Sequence, residues 1–317
     1  DNTLRNTVTA TIQGGAEATS ETDSVYLTAT DTSSIKADGG AVSLALSGGS
    51  SVGGSLGIGV AIAQNTLENT PKASIDNSTV AAAKDVVINA TKQKADGSKV
   101  ATIAALSFWA SGAGAIGGSA GVALAGAGVG ADNTIGNTIE ASIQNSQVTS
   151  ETGKVSLDAK DQSTIDAKSY VVGISAAGGN SGAGAVTVGV AKATNTLNSQ
   201  VQAFVGQRDN TPDSSHIKAQ AFDVTATADT DIDARVVTAG VAIAIAVNPS
   251  SPIAVGASGS GVIADNTISN TVEAAVRNGS LLEIADTIDV TASDTSTVEA
   301  DYGVGSGSFG VLAGAAI

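Results

Sequence analysis

The sequence predicts an all-β protein, an elongated β-solenoid (β-helix) of about five tandem repeats of 62–71 residues. Three observations support this prediction: a short Asn-Thr phrase that returns along the chain, strict alternation of apolar and polar residues, and the absence of a sustained helical period. We take the chain as one continuous array of repeats over residues 1–317. The predicted repeats span 1–63, 64–131, 132–193, 194–264 and 265–317, and we expect the last one to be truncated.

The Asn-Thr phrase opens each repeat and is well preserved at residues 132–139, Asp-Asn-Thr-Ile-Gly-Asn-Thr-Ile. The intervals between its first asparagines are 63, 68, 62 and 71 residues. These asparagines are Asn2, Asn65, Asn133, Asn195 and Asn266. Because an Asn side chain can bond nearby backbone or an equivalent residue one coil along, we expect the five to stack at a corner of the solenoid.

An alternating segment follows each phrase, and it extends over residues 155–167 in the third repeat. It reads Val-x-Leu-x-Ala-x-Asp-x-Ser-x-Ile-x-Ala, with mostly polar residues between the named ones. Period-two alternation of this length fits a strand and cannot lie on one face of a helix. Its acidic position is occupied by Asp31, Asp161 and Asp294, which we predict to be structural residues of the repeat.

The third part of each repeat is uncharged and rich in Gly and Ala, as in residues 41–63, where two alternating arms flank a Gly/Ser turn. A unit this thin buries its apolar face only by stacking on equivalent neighbours, so we expect two or three coils in each repeat. The alternative is a stack of long antiparallel β-hairpins, because two arms around a turn also fit a hairpin.

Composition excludes several functional classes. The net charge of −15 argues against binding to nucleic acid and to anionic membrane surfaces. The chain has no cysteine, which excludes disulfides and thiolate chemistry. The uncharged stretch 100–131 has counterparts at the same place in other repeats, so we interpret it as interior strands and expect no membrane insertion.

Sequence motifs give little support for catalysis or cofactor binding. The G-x-G-x-x-G matches at 112–117 and 305–310 lack the following helix that a dinucleotide site needs, and we predict no enzyme activity. Asp229, Asp231 and Asp233 are weak candidates for calcium, because Ala234 stands where an EF-hand loop would have glycine. We expect no other cofactor. Departures from the repeat, at 208–216 and 248–252, are where a binding specificity would be sought.

The phrase at residues 266–274 and the alternating segment at 155–167 resemble the repeats of large bacterial surface proteins, the filamentous adhesins of the leukotoxin and filamentous-haemagglutinin type. The resemblance covers the whole chain and carries over no catalytic residue. It implies secretion across the bacterial envelope, a β-helical stalk, and a role in attachment or surface coating.

From this resemblance we expect a non-enzymatic structural segment of an extracellular fibre or adhesin stalk at the bacterial cell surface. Its partners would be further repeats or neighbouring chains. The alternative is a module of a surface adhesin that binds a glycan or protein receptor, on a host or on another cell surface.

Overall fold

The computed structural model describes residues 1–93, 100–208, 211–248 and 252–312, and these residues form an all-β array of five stacked coils. Within this described part, all strand pairs are parallel and join equivalent segments of successive repeats. The prediction of an elongated β-solenoid of about five repeats is confirmed. One coil follows the next without a change of topology, so each repeat is a layer of the same stack.

The strands recur in the same order in each coil. The first coil contains β1 (Asn2–Gln13), β2 (Glu17–Ser20), β3 (Val25–Asp31) and β4 (Ile35–Gly49). The second contains β5 (Val52–Asp76), β6 (Thr79–Ala82), β7 (Val86–Lys92) and β8 (Val100–Gly117). The third contains β9 (Ala120–Ile135), β10 (Thr138–Gln144), β11 (Gln147–Ser150), β12 (Lys154–Asp161) and β13 (Ser163–Gly179). The fourth contains β14 (Gly182–Leu197), β15 (Gln200–Val205), β16 (His216–Ala219), β17 (Ala221–Ala228) and β18 (Asp231–Ala246). The fifth contains β19 (Ile253–Ile268), β20 (Thr271–Val276), β21 (Leu281–Ile284), β22 (Ile288–Asp294) and β23 (Thr297–Leu312).

Four parallel sheets run along the stack. Sheet 1 contains β1, β5, β9, β10, β14, β15, β19 and β20. Sheet 2 contains β2, β6, β11, β16 and β21; sheet 3 contains β3, β7, β12, β17 and β22; sheet 4 contains β4, β8, β13, β18 and β23. Each strand pairs with the strand one repeat away, as Asn2 does with Asn65, so a repeat forms one coil. The expectation of two or three coils in each repeat is wrong.

The two arms around each Gly/Ser turn belong to different sheets. Where the second coil passes into the third, β8 lies in sheet 4 and β9 lies in sheet 1, and the two pack face to face without sharing a ladder. The alternative of stacked antiparallel hairpins is therefore wrong for the described residues. The alternation pattern is the same in both arrangements, because it reports which side chains point inward and not which strands are neighbours.

The cross-section of a coil has two parts. One part of the coil is a core of branched aliphatic side chains, including Ile75, Ile88 and Ile143, which are fully buried. This core is enclosed by sheets 2 and 3 and by part of sheet 1, namely β1, β10, β15, β20 and the end of β5. The rest of sheet 1, namely β9, β14, β19 and the beginning of β5, packs on sheet 4, and the two layers form a plate. The interior of this plate is mostly alanine, such as Ala115, Ala123 and Ala185. A row of Ile and Leu side chains separates the two cores.

Small inward residues let the two layers of the plate approach closely. A Cβ added at Gly57 would lie 2.6 Å from the Gly112 carbonyl oxygen, and one at Gly121 would lie 2.3 Å from that of Gly178. Trp109 is the exception, because its indole is directed inward and is 8% exposed. It occupies the space over Gly59, where an added Cβ would overlap the indole ring.

The corner between sheets 1 and 2 needs a left-handed backbone. Asn77 and Asn145 both have φ of 46°, and Asn278 has φ of 58°. In the first coil this corner is made by Gly14 and Gly15, with φ of 75° and 80°. Asn and Gly are the residues that adopt this conformation at least cost, which explains their recurrence at the corner.

We expect Gly59→Ala to destabilise the fold by about 1–3 kcal/mol, because the new methyl group must displace the Trp109 indole from a packed layer. Gly126→Ala is the matched control. A Cβ there meets only Ile58 at an ordinary 3.6 Å, and losing glycine from a strand should stabilise by about 0.5–1 kcal/mol. Urea unfolding of the two variants measures the change in the free energy of unfolding. Equal changes in the two variants would contradict the packing of Trp109 over Gly59.

Candidate functional site

The first asparagines of the five phrases form one continuous ladder. Asn2 Nδ2 donates to Asn65 Oδ1 at 2.9 Å, and Asn65 donates in turn to Asn133 at 2.8 Å. Asn133 donates to Asn195 at 2.8 Å, and Asn195 donates to Asn266 at 2.7 Å. These residues lie within strands of sheet 1 and point inward, so the expectation that they stack at a corner is wrong in its location.

The ladder fixes the register of the coils. Asn65, Asn133 and Asn195 are at most 1% exposed, so water cannot replace a missing partner. Each amide finds its donor and acceptor only in the same residue one coil away. A slip by two residues would keep the inward face but leave buried amide groups unpaired, at a cost of about 1–3 kcal/mol for each.

The acidic residues of the alternating segment form the corner between sheets 3 and 4. The backbone N–H of Ser33 donates to Asp31 Oδ1 at 2.7 Å, and that of Ser163 donates to Asp161 Oδ1 at 3.0 Å. The backbone N–H of Ser296 donates likewise to Asp294 at 2.9 Å. A carboxylate that accepts from the residue two positions on closes an Asx turn, and this turn ends β3, β12 and β22 at the same place.

The second asparagine of the phrase joins this corner to sheet 1 across the core. Asn69 Nδ2 donates to Ser33 Oγ at 2.8 Å, and Asn137 Nδ2 donates to Ser163 Oγ at 2.9 Å. In the fifth coil Asn270 Nδ2 donates to a serine hydroxyl at 3.1 Å in the same way. The bonds of Asn137 and Asn270 tie opposite sides of one coil together, and the bond of Asn69 ties the second coil to the first.

The residue that occupies the acidic position of the alternating segment differs from coil to coil. The strand register stacks Asp31, Lys92, Asp161, Ala228 and Asp294 in one column. Carboxylates on adjacent strands would lie about 5 Å apart inside the protein and repel each other strongly. Lys92 and Ala228 interrupt the column, so no two carboxylates are neighbours within it.

Lys92 is 3% exposed and its ammonium group is held by the corner of the first coil. Its Nζ lies 3.3 Å from Asp31 Oδ1, and it also donates to the backbone oxygen and the hydroxyl of Ser33. Burial lowers the pKa of Lys92, and the charges of Asp31 and Asp161 oppose that shift. Burial likewise raises the pKa of Asp161, against the hydrogen bonds from Ser163, Ser199 and Asn137.

Sequence reasoning missed Lys92 and the bridging asparagines, although a signal for them existed. Lys92 follows Val86, Ile88 and Ala90 at two-residue steps, the same position that Asp161 holds after Val155. Asn69 belongs to the second copy of the Asn-Thr phrase, but only the coil geometry shows what its side chain reaches.

The calcium candidates do not converge. Asp231 and Asp233 both lie in β18 and Asp229 precedes it, and the side chains of Asp231 and Asp229 accept hydrogen bonds from Thr297 at 2.5 Å and Thr295 at 3.2 Å. Over the part of the chain that the structure describes, no three His, Cys, Asp or Glu residues are grouped so as to hold a metal ion.

A second polar cluster covers the outer side of sheet 1, where Arg208 from the start of the 208–216 insertion reaches Glu140. Residues 209–210 of this insertion, and 249–251 of the other departure from the repeat, lie outside the described residues. Glu140 is bound by Lys72 and by Arg208, each at 3.1 Å, and accepts from Ser142 Oγ at 2.9 Å. Burial raises the pKa of Glu140, but these three groups outweigh it and the net pKa is lowered.

Beside this cluster is a polar groove of about 340 Å³. It is lined by Thr9, Thr11, Gln13, Lys72, Ser74, Asp76, Ser142 and Gln144. The hydroxyl and amide groups of this lining can donate to and accept from a polyhydroxylated ligand. The groove therefore has a lining whose chemistry suits a glycan.

We expect Asn133→Ala to lower the free energy of unfolding by about 2–4 kcal/mol, because it leaves the Asn65 donor and the Asn195 acceptor without partners. Asn266→Ala is the matched control. It should lower the free energy of unfolding by about half as much, since it leaves only the amide donor of Asn195 without a partner. Denaturant unfolding measures both. Equal losses for the two variants would show that the ladder does not act as a chain of pairs.

Lys92→Met should destabilise by about 3–5 kcal/mol, because it leaves Asp31 as an uncompensated buried charge. Asp31→Asn in the same background should recover much of the loss, since a neutral amide still accepts from the Ser33 N–H. Thermal unfolding of the single and double variants tests this. A double variant less stable than Lys92→Met alone would contradict it.

Comparison with known proteins adds no relative. Neither the protein-family models, nor the curated proteins, nor the solved structures give a match. The described part of the chain also has no helix with the length and apolarity to cross a membrane.

Proposed function

We propose that this chain is a non-enzymatic structural segment of a long extracellular bacterial fibre or adhesin stalk. The observation that carries the proposal is the asparagine ladder, which runs through five coils with bonds of 2.7–2.9 Å and no interruption. A ladder of this kind does not limit the number of coils, because each asparagine bonds the next in the same geometry.

The coil edges support the same role. Strands β2, β3 and β4 at one end, and β21, β22 and β23 at the other, have a partner on one side only. Such edges are templates for another parallel strand, so a further coil of the same kind extends four sheets at once. The acidic surface favours solubility of a long polymer, and the resemblance of the repeat phrases to filamentous adhesins favours the bacterial cell surface.

Binding of a glycan or a protein receptor is the second candidate role. The polar groove beside Glu140 favours it, because its hydroxyl and amide lining suits sugar hydroxyls. Both roles are compatible with a stalk that presents a contact surface along its side.

Immunogold electron microscopy of cells that produce the chain tests the structural role, with antibodies raised against residues 1–317. We expect gold label along surface fibres, and fibre diffraction of the sheared material should show an axial spacing of about 4.8 Å. Antibody pre-absorbed with the chain is the control. Label confined to the cell interior, or to dispersed compact particles, would contradict the proposal.

A further inference from the structure

The outward side of sheet 4 in the two-layer plate is an uncharged apolar surface. We name it the plate face and define it by the outward positions of residues 40–48, 108–116, 170–178, 237–245 and 303–311. Its five outward positions in each of five strands hold no charged residue, and the Tyr170 hydroxyl is the sole polar side-chain group among them. Its large side chains include Leu44, Leu46, Ile116, Ile174 and Phe309, which are 50–74% exposed.

The plate face is large enough for a stable protein interface. Five strands about 4.8 Å apart, each contributing about nine residues of ~3.3 Å, give roughly 24 Å by 30 Å, or about 700 Å². This exceeds the ~300–600 Å² of the largest apolar patch on a typical monomer. It is close to the ~800 Å² that each partner buries in a standard interface.

Charge indicates which partner fits this face. The chain carries −15, so two copies repel each other wherever their acidic residues meet. The plate face has no charge, and the band beside it alternates in sign, as in the pairs Lys168–Asp166 at 2.6 Å and Lys36–Asp38 at 3.3 Å. A second copy can approach here without stacking like charges, and an apolar centre with a charged border is the usual anatomy of an interface.

The shape of the plate face, with projecting side chains beside a groove, also suits self-association. Next to the exposed Leu46 is an apolar groove of about 510 Å³, with Gly114, Ala176 and Gly178 among its lining and Ile116 and Ile245 also contributing. A two-fold contact brings one surface against itself, so that surface must carry both projections and a recess. The plate face carries both.

We propose that two copies of this chain pack side by side through their plate faces. This inference deepens the proposed structural role, because it names the lateral partner within a fibre. The occupant is a second solenoid of the same sequence, and each added coil adds about 150 Å² of the same apolar surface.

Sedimentation of the purified chain tests the proposal with two substitutions of equal charge. Ile174→Lys lies on the plate face and Val188→Lys lies on the opposite outer face of the plate, and the native side chains are both 50% exposed. We expect the native chain and Val188→Lys to sediment at twice the chain mass of 30.6 kDa at micromolar concentration. Ile174→Lys should weaken pairing at least about tenfold, because it buries an unpaired ammonium group.

Ile116→Lys keeps the test decisive if Ile174→Lys fails to fold, since Ile116 is 72% exposed and lies at the groove. It should also sediment as a monomer with an unchanged far-ultraviolet circular dichroism spectrum. A native chain that stays monomeric, including one that floats with phosphatidylcholine vesicles, would overturn the proposal. So would dissociation by Val188→Lys alone. Sedimentation mass tests the pairing of two chains, whereas immunogold labelling tests the fibre role. Either proposal can therefore fail without the other.

Discussion

Hydrogen bonding between the same asparagine in successive coils is the constraint on which the rest of this structure depends. A buried amide that only its own counterpart can satisfy allows one register, and that register then decides every other contact. It places alanine and glycine opposite each other in the plate, and it stacks the Asp-Ser corners. It also brings Lys92 between Asp31 and Asp161, where one ammonium group separates two buried carboxylates.

Much of this fold could be predicted from the sequence, because the signals are periodic. The intervals of the Asn-Thr phrase predicted the repeats, and period-two alternation predicted the strands and their inward faces. The number of coils in each repeat could not be predicted, since alternation is satisfied whichever strands are neighbours. The ion pairs of Glu140 were equally hidden, because Lys72 and Arg208 reach it from two other coils.

The cross-section explains the unusual composition. A coil of 62–71 residues that rises about 4.8 Å adds little length and much lateral surface. The alanine-rich plate supplies that surface at small thickness, and the branched core of sheets 1, 2 and 3 supplies most of the apolar burial. Charges are concentrated away from the plate face, so the chain is acidic as a whole and yet offers a broad side without charge.

The most direct test of one coil in each repeat is a disulfide placed across successive coils. The chain has no cysteine of its own, and Thr28 is the register partner of Asn89, 61 residues away. Cysteines at these two positions should form a disulfide on mild oxidation, because neighbouring strands bring their Cα atoms to about 5 Å. Cysteines at Thr28 and Thr91, offset by one step of the alternation, should remain reduced. Preferential closure of the offset pair, or of neither pair, would contradict the register on which this account rests.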